Sequence, residues 1–246
     1  MKQQIALITG ANRGIGLAVA ESLAKNGYLV ILTARNKEKL EEACSIVTTS
    51  GGIADHYVLD VTDALQIKAV IDNIIAKYGH IDVLFNNAGV FITGTTNIDN
   101  NDIECVLQTN LIGAIFVAKE VALQMKKQKS GYIINLSSIS GKGGAAAAGI
   151  YSASKYGLCG FNDSLAKEMS EFGVKVTALC PSVIATDMTQ DFQMNQDDKI
   201  PTSDITKTVD YLLSLSPNTL PIEIVIDCTP LVGADNASVA QLVNAQ

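Results

Sequence analysis

The amino-acid sequence predicts an α/β protein in which a doubly wound parallel sheet lies between two layers of helices. Three observations point there. Short apolar runs alternate with amphipathic stretches along the chain, which is how β-α units read in a sequence. The first apolar run passes directly into a glycine cluster and then a helical pattern, an arrangement suited to an anion at a helix N-terminus. No linker or internal repeat divides the 246 residues, 48% of them hydrophobic, so residues 1–246 are expected to form one domain around one large core.

The first strand is expected at 4–9 and its helix at 16–26. Between them stands Thr9-Gly10-Ala-Asn12-Arg13-Gly14-Ile15-Gly16. Glycines there permit positive φ and let backbone N–H groups approach a pyrophosphate, so residues 10 and 12–16 are assigned to a dinucleotide, with a plain turn as the alternative. The spacing is GxxxGxG instead of the more general GxGxxG. The second strand, 28–33, ends in Ala34-Arg35-Asn36 before a helix at 38–48. An NAD site usually carries an acidic residue at this place. None is here, and the forked cation of Arg35, with Arg13 as a second, suits a 2′-phosphate, so NADP(H) is expected in preference to NAD(H). A surface arginine beside a helix cap is the competing reading.

A third strand at 55–59 leads to Asp60 and Val61, then a helix at 64–78; a fourth at 83–86 leads to Asn87-Ala88-Gly89. Asp60 is suited to accept from an adenine amino group, and the small Ala88-Gly89 step lets backbone lie against a cofactor. Both places also read as an ordinary cap or turn. The long helix at 102–127 carries Asn110 on an otherwise apolar face. A buried asparagine needs partners, so it is either a structural bridge or part of a proton-carrying water chain. The fifth strand, 132–137, delivers Ser138 to the edge where open α/β sheets bind ligands. Small residues at 141–149 then leave room for a substrate, or simply make a flexible connection. A helix at 151–172, a strand at 174–180, a helix at 203–214 and a strand at 222–227 complete the order.

Tyr151 and Lys155 are the chemical centre of this reading. Four residues apart on a helix, they project from one face a turn apart. A phenol ordinarily titrates near about 10. An ammonium about 4 Å away, at an effective dielectric of about 20, favours the phenolate by about 4 kcal/mol, which would poise it near neutrality for acid-base work. Taken alone such a pair is usually a solvated surface pair.

Composition excludes other classes. A net charge of −7 without a basic run argues against nucleic acid or an anionic membrane as partner. Five cysteines without a CxxC pair read as scattered apolar fillers in a reducing, cytoplasmic compartment. No metal is expected, because His56 and His80 stand in no ligand-like spacing. No signal-peptide pattern opens the chain, and no run is expected to reach the roughly 18 apolar residues that span a bilayer.

Gly10, Gly14, Gly16, the Asn86-Asn87-Ala88-Gly89 run, Asn110, Ser138, Tyr151 and Lys155 together resemble, in order and spacing, the short-chain dehydrogenase/reductase family over about residues 4–188. The resemblance implies a Rossmann-like fold with a seven-stranded parallel sheet and nicotinamide-dependent interconversion of a carbonyl and an alcohol. It implies that Tyr151 exchanges the proton, Ser138 steadies the carbonyl, Lys155 binds the nicotinamide ribose and lowers the Tyr151 pKa, and Asn110 holds a linking water. Pro181 and Thr186 would meet the nicotinamide, although Ser182 stands where the family usually has glycine. Cys228-Thr-Pro230 likewise replaces the usual Val-Asp-Gly-Gly ending, which leaves a homodimer or homotetramer open. A polar lid at 187–201, with Met188, Phe192 and Met194 and no cation before Lys199, suggests a neutral carbonyl substrate. The alternatives are a 3-oxoacyl thioester reductase and a non-catalytic NADPH sensor.

Overall fold

The computed structural model describes residues 2–232. The tail from 233 to 246 lies outside the described residues. Seven parallel strands, β1 (Ile5–Thr9), β2 (Leu29–Ala34), β3 (Ile53–Val58), β4 (Val83–Asn86), β5 (Gly131–Leu136), β6 (Val174–Pro181) and β7 (Glu223–Ile226), form one sheet in the order β3-β2-β1-β4-β5-β6-β7. Each expected strand exists. The largest offset is at β3, which starts two residues before the expected position. It is the sheet's edge, half-exposed and carrying Asp55 and His56, so its apolar pattern is weak.

Side chains alternate between faces along each buried strand. Ala6 and Ile8 of β1 face one core; Ile5 and Leu7 face the other. On the first face lie α1 (Gly14–Lys25), α2 (Lys37–Thr49) and α7 (Thr202–Ser214), which contribute Val19, Leu23, Leu40 and Val209. On the second lie α3 (Ala64–Tyr78), α5 (Ala114–Gln128) and α6 (Gly149–Ser170), with Ile67, Ile74, Val121 and Met169. The helices begin where polar side chains satisfy their first N–H groups. Asn36 accepts from the Lys39 N–H at 2.8 Å, and Asp63 accepts from those of Leu65 and Gln66.

Two expectations need correction. The helix expected at 102–127 is two α-helices, α4 (Asn100–Leu107) and α5, joined by a π-helical turn over Gln108–Gly113. Periodicity does not reveal the extra residue in that turn, because the apolar stripe resumes beyond it. Asn100–Gln128, taken as one helical stretch of 29 residues, is also long and apolar enough by composition to cross a membrane, against the expectation that no run approaches that length. Half of its most apolar window is buried within the protein, where α5 packs on α3, α6, β4 and β5.

A polar ladder crosses this apolar interior. Thr9 Oγ1 donates to Asn86 Oδ1, Asn86 Nδ2 to Asn135 Oδ1, Asn135 Nδ2 to Asn162 Oδ1, and Asn162 Nδ2 to the Ile222 carbonyl, at 3.4, 3.0, 3.1 and 3.1 Å. All four side chains are at most 3% exposed. Asn86 and Asn135 are register partners on β4 and β5. Replacing Asn135 with Leu strips partners from Asn86 and Asn162, and an orphaned buried polar group costs about 1–3 kcal/mol. Urea unfolding of Asn135→Leu should show a loss of about 3 kcal/mol; a change below about 1 kcal/mol would mean that the ladder is not needed for stability.

Candidate active site

All strands of a parallel sheet end at one edge, and a crevice opens where the chain connections diverge to opposite faces. Here that point lies between β1 and β4. A cleft of about 740 Å3 runs along the edge. Of the residues assigned from the sequence, Gly10, Asn12, Arg13, Gly14, Ile15, Arg35, Asp60, Val61, Asn87, Ala88, Gly89, Ser138, Tyr151, Lys155, Pro181 and Thr186 all line it. Gly16 and Asn110 lie behind the wall.

The glycine turn is shaped by close approach. Gly10 and Gly14 have φ of +63° and +57°, a region that disfavours side chains. A Cβ on Gly16 would meet the Gly10 carbonyl at 2.4 Å and Asn87 Nδ2 at 2.7 Å. Asn87 Nδ2 donates to the carbonyls of Thr9 and Gly10 at 2.8 and 3.1 Å, which ties β4 to the turn. The first N–H groups of α1 have no side-chain cap. Uncapped donors at a helix N-terminus suit a phosphate, so the residues present fit a dinucleotide.

At the far end, Arg35 is exposed beside Asp60. Burial raises the Asp60 carboxyl pKa, but the backbone and side-chain hydrogen bonds from Thr62 and the Arg35 charge outweigh it and hold it below its ordinary value. Lys39 also lines this end, and sequence reasoning missed it. Its signal was a lysine in the first turn of α2, where the macrodipole disfavours cations unless an anion sits nearby. Arg13, expected as the second phosphate cation, is instead paired with Asp187 at 3.2 Å. With both side chains more than half exposed, that pair holds weakly.

The chemical end is assembled from four elements. Ser138 follows β5, its Oγ accepting from the Ser140 N–H at 3.1 Å and donating to the Pro181 carbonyl at 3.4 Å. Lys155 is 5% exposed; its Nζ donates to the Leu136 carbonyl at 2.9 Å and lies 5.6 Å from the Tyr151 ring centroid. Asn110, 1% exposed on the π-helical turn, holds Val90 twice: Nδ2 donates to its carbonyl and Oδ1 accepts from its N–H, each at 2.8 Å. Of the two readings of Asn110, the structural bridge is therefore present.

The expected direction of the Tyr151 shift is reversed in this protein. Burial pushes the phenol up to about 12, with Ser138 pulling the other way, and lowers the Lys155 ammonium to about 8. Desolvation disfavours whichever form is charged. It acts on both groups, and the lysine donates to a main-chain carbonyl instead of opposing the effect at the phenol.

The remaining wall is apolar. Phe91 packs edge-on against Tyr151 and Phe192, with ring centroids 4.9 and 5.4 Å apart. Gly143, Gly144 and Ala145 from the small-residue loop also border the cleft, as do Met188 and Leu231. Phe91 and Leu231 escaped sequence reasoning because neither sits in a motif. Ser182 has no unusual backbone conformation; its N–H donates to the Ile226 carbonyl at 2.8 Å. Lys199, expected at the lid's end, is 4% exposed and donates to the Thr189 carbonyl. The cysteines are not all scattered: Cys159 and Cys180 meet with sulfurs 3.8 Å apart.

The family described as short chain dehydrogenase matches residues 4–197. A 3-oxoacyl-[acyl-carrier-protein] reductase of Synechocystis sp. is 39% identical over 189 residues, 76% of each chain. A ketoacyl reductase of Nostoc sp. is 36% identical over 191 residues, 77% of this chain and 67% of the relative. Among solved structures, an actinorhodin polyketide ketoreductase with NADPH superposes with a TM-score of 0.86 at 29% identity, covering 96% of this chain and all of the other. A metagenomic short-chain oxidoreductase in complex with NADP gives 0.81 at 31% identity, covering 93% and 98%.

Burial of Lys155 makes stability depend on pH. With its pKa at about 8 in the folded protein against 10.5 ordinarily, the unfolded chain binds the extra proton between those values, so stability rises with pH across that window. Tyr151, raised from 10.0 to about 12, acts oppositely above pH 10. Lys155→Met removes the first contribution. Its stability gain over the unsubstituted protein, on the order of 3 kcal/mol below pH 8, should shrink as pH approaches 10.5. A gap in urea unfolding that is the same at pH 7 and pH 10 would place the ammonium in water.

Proposed function

Because the chain belongs to the short-chain dehydrogenase family, whose members are oxidoreductases, we propose that it is an NADPH-dependent reductase of a neutral ketone or aldehyde. The observation that carries this is the convergence of Ser138, Tyr151 and Lys155 on one cleft whose substrate side is aromatic and aliphatic. When bound, NADPH supplies the hydride. Gly10, Asn12, Gly14 and Ile15 would hold the pyrophosphate, Arg35 and Lys39 the 2′-phosphate, Asp60 and Val61 the adenine, and residues 87–89, Pro181 and Thr186 the nicotinamide half.

Tyr151 Oη gives its proton to the carbonyl oxygen, which Ser138 Oγ steadies by hydrogen bonding. A phenol held protonated suits a donor, so the burial that raises its pKa favours reduction. Lys155 orients the ribose and shares its charge with the phenolate left behind. Asn110, by fixing Val90, keeps the loop after β4 in place and borders the path by which the proton is replaced. Residues 187–201 act as the lid, and Phe192 brings its apolar contact to Phe91.

The names of the relatives favour a second reading, reduction of a 3-oxoacyl thioester. Against a carrier-bound substrate stand the net charge of −7 and a lid whose lysine is turned inward, since an acidic carrier docks on cations. The assembly we propose is a homodimer or homotetramer, supported by half-exposed Leu123 on α5 and Tyr156 on α6. A reducing cytoplasmic setting fits five cysteines that are all free.

NADPH oxidation followed with aromatic aldehydes, α-diketones, cyclic ketones and an acetoacetyl thioester separates the two readings: turnover of the thioester alone would replace the first by the second. Tyr151→Phe should lower kcat at least about 100-fold, the usual worth of a positioned acid, with NADPH binding retained; undiminished turnover would remove Tyr151 as donor. Arg35→Asp should move the NADPH:NADH affinity ratio toward NADH by at least tenfold, the loss of a charge-assisted contact of about 1.5–3 kcal/mol. An unchanged ratio would place the 2′-phosphate elsewhere.

A further inference from the structure

One turn beyond Lys155 on the buried face of α6, three potential ligands converge. Cys159 on α6, Cys180 on β6 and Glu223 on β7 place their ligand atoms within 4.8 Å of one another. We propose that they form a buried site for a thiophilic divalent cation of the zinc type, adjoining the reductase cleft at Ser137.

Two features support it. The sulfurs are 3.8 Å apart, and two thiolates on a tetrahedral zinc, each about 2.3 Å from it, are separated by about 3.8 Å. A disulfide would require about 2.05 Å, and the sulfurs stand well beyond that. Both thiols give up their protons as the cation enters.

Charge and access complete the case. A dication on two thiolates and a carboxylate carries one net negative charge. Lys142, whose Nζ lies 2.7 Å from Glu223 Oε2, neutralises it. The two cysteines are at most 6% exposed, but the Glu223 side chain is 26% exposed and Lys142 40%, so a cation enters from the sheet edge as Lys142 swings aside. Ser137 Oγ, 3.2 Å from Cys159 Sγ, or a water completes four ligands. Occupancy joins α6, which carries Tyr151 and Lys155, to β6 and β7.

The test titrates the full chain, reduced and metal-free, with Cd2+, following thiolate-to-metal absorption in the ultraviolet and Tm. One equivalent should saturate the band and raise Tm, and Zn2+ should displace it. Cys159→Ser and Cys180→Ser should each abolish it, Cys44→Ser and Cys105→Ser should leave it, and Glu223→Gln should weaken binding at least tenfold. An unchanged band in the Cys159→Ser, Cys180→Ser double variant, or no band in the reduced natural sequence, would overturn the site. Should the cysteine variants fail to fold, the partly exposed Glu223→Gln decides, and unaltered Cd2+ affinity there overturns it equally.

Discussion

The hydroxyl of Thr9 is the junction on which the rest of the site depends. It accepts from the N–H groups of Asn87 and Ala88 at 2.9 and 3.0 Å and donates to Asn86 Oδ1. Those bonds hold the ends of β1 and β4 together where the connections part and the crevice must open. The apolar sheet offers no other partner for these groups, and unsatisfied polar groups inside it would be costly. One fully buried threonine thereby ties the end of β1, just before the glycine turn, to the chain leaving β4.

From that junction the polar ladder of Asn86, Asn135 and Asn162 runs to the carbonyl before β7, and a second set of bonds builds the chemical end. Asn110 holds Val90, and Lys155 reaches the Leu136 carbonyl. The π-helical turn matters because it lets Asn110 face the loop after β4 while α5 keeps its apolar face on the sheet. Such turns commonly occur at functional sites. The same burial that makes these bonds strong raises Tyr151 and lowers Lys155, so the phenol is held protonated.

The buried face of α6 beyond Lys155 follows the same pattern of contacts. Ser137 Oγ donates to the Lys155 carbonyl and touches Cys159. One serine therefore links the helix turn bearing Lys155 to the thiol pair and, through its N–H to the Leu179 carbonyl, to β6. That corner adjoins the helix turn carrying Tyr151 and Lys155.

The alternation of apolar runs with helical patterns was enough to place all seven strands, because strands buried on both faces read as continuous apolar segments. The glycine turn, Ser138, Tyr151 and Lys155 were legible too, since each depends on local spacing or on its place at a strand end. What local patterns cannot express was decided by the tertiary structure. Arg13 turned to Asp187, far away in sequence, and Lys199 turned inward to the Thr189 carbonyl within the lid, because folding brought those partners to them. Phe91 and Leu231 reached the cleft from different connections. Cys159 and Cys180, on separate elements, came into contact. The direction of the Tyr151 shift belongs to this second group. The sequence by itself determined which elements form and which residues stand at their ends, because both follow from short-range periodicity and backbone preference. The balance between desolvation and charge at the site was decided only by the tertiary structure, since burial is a property of the whole packed chain.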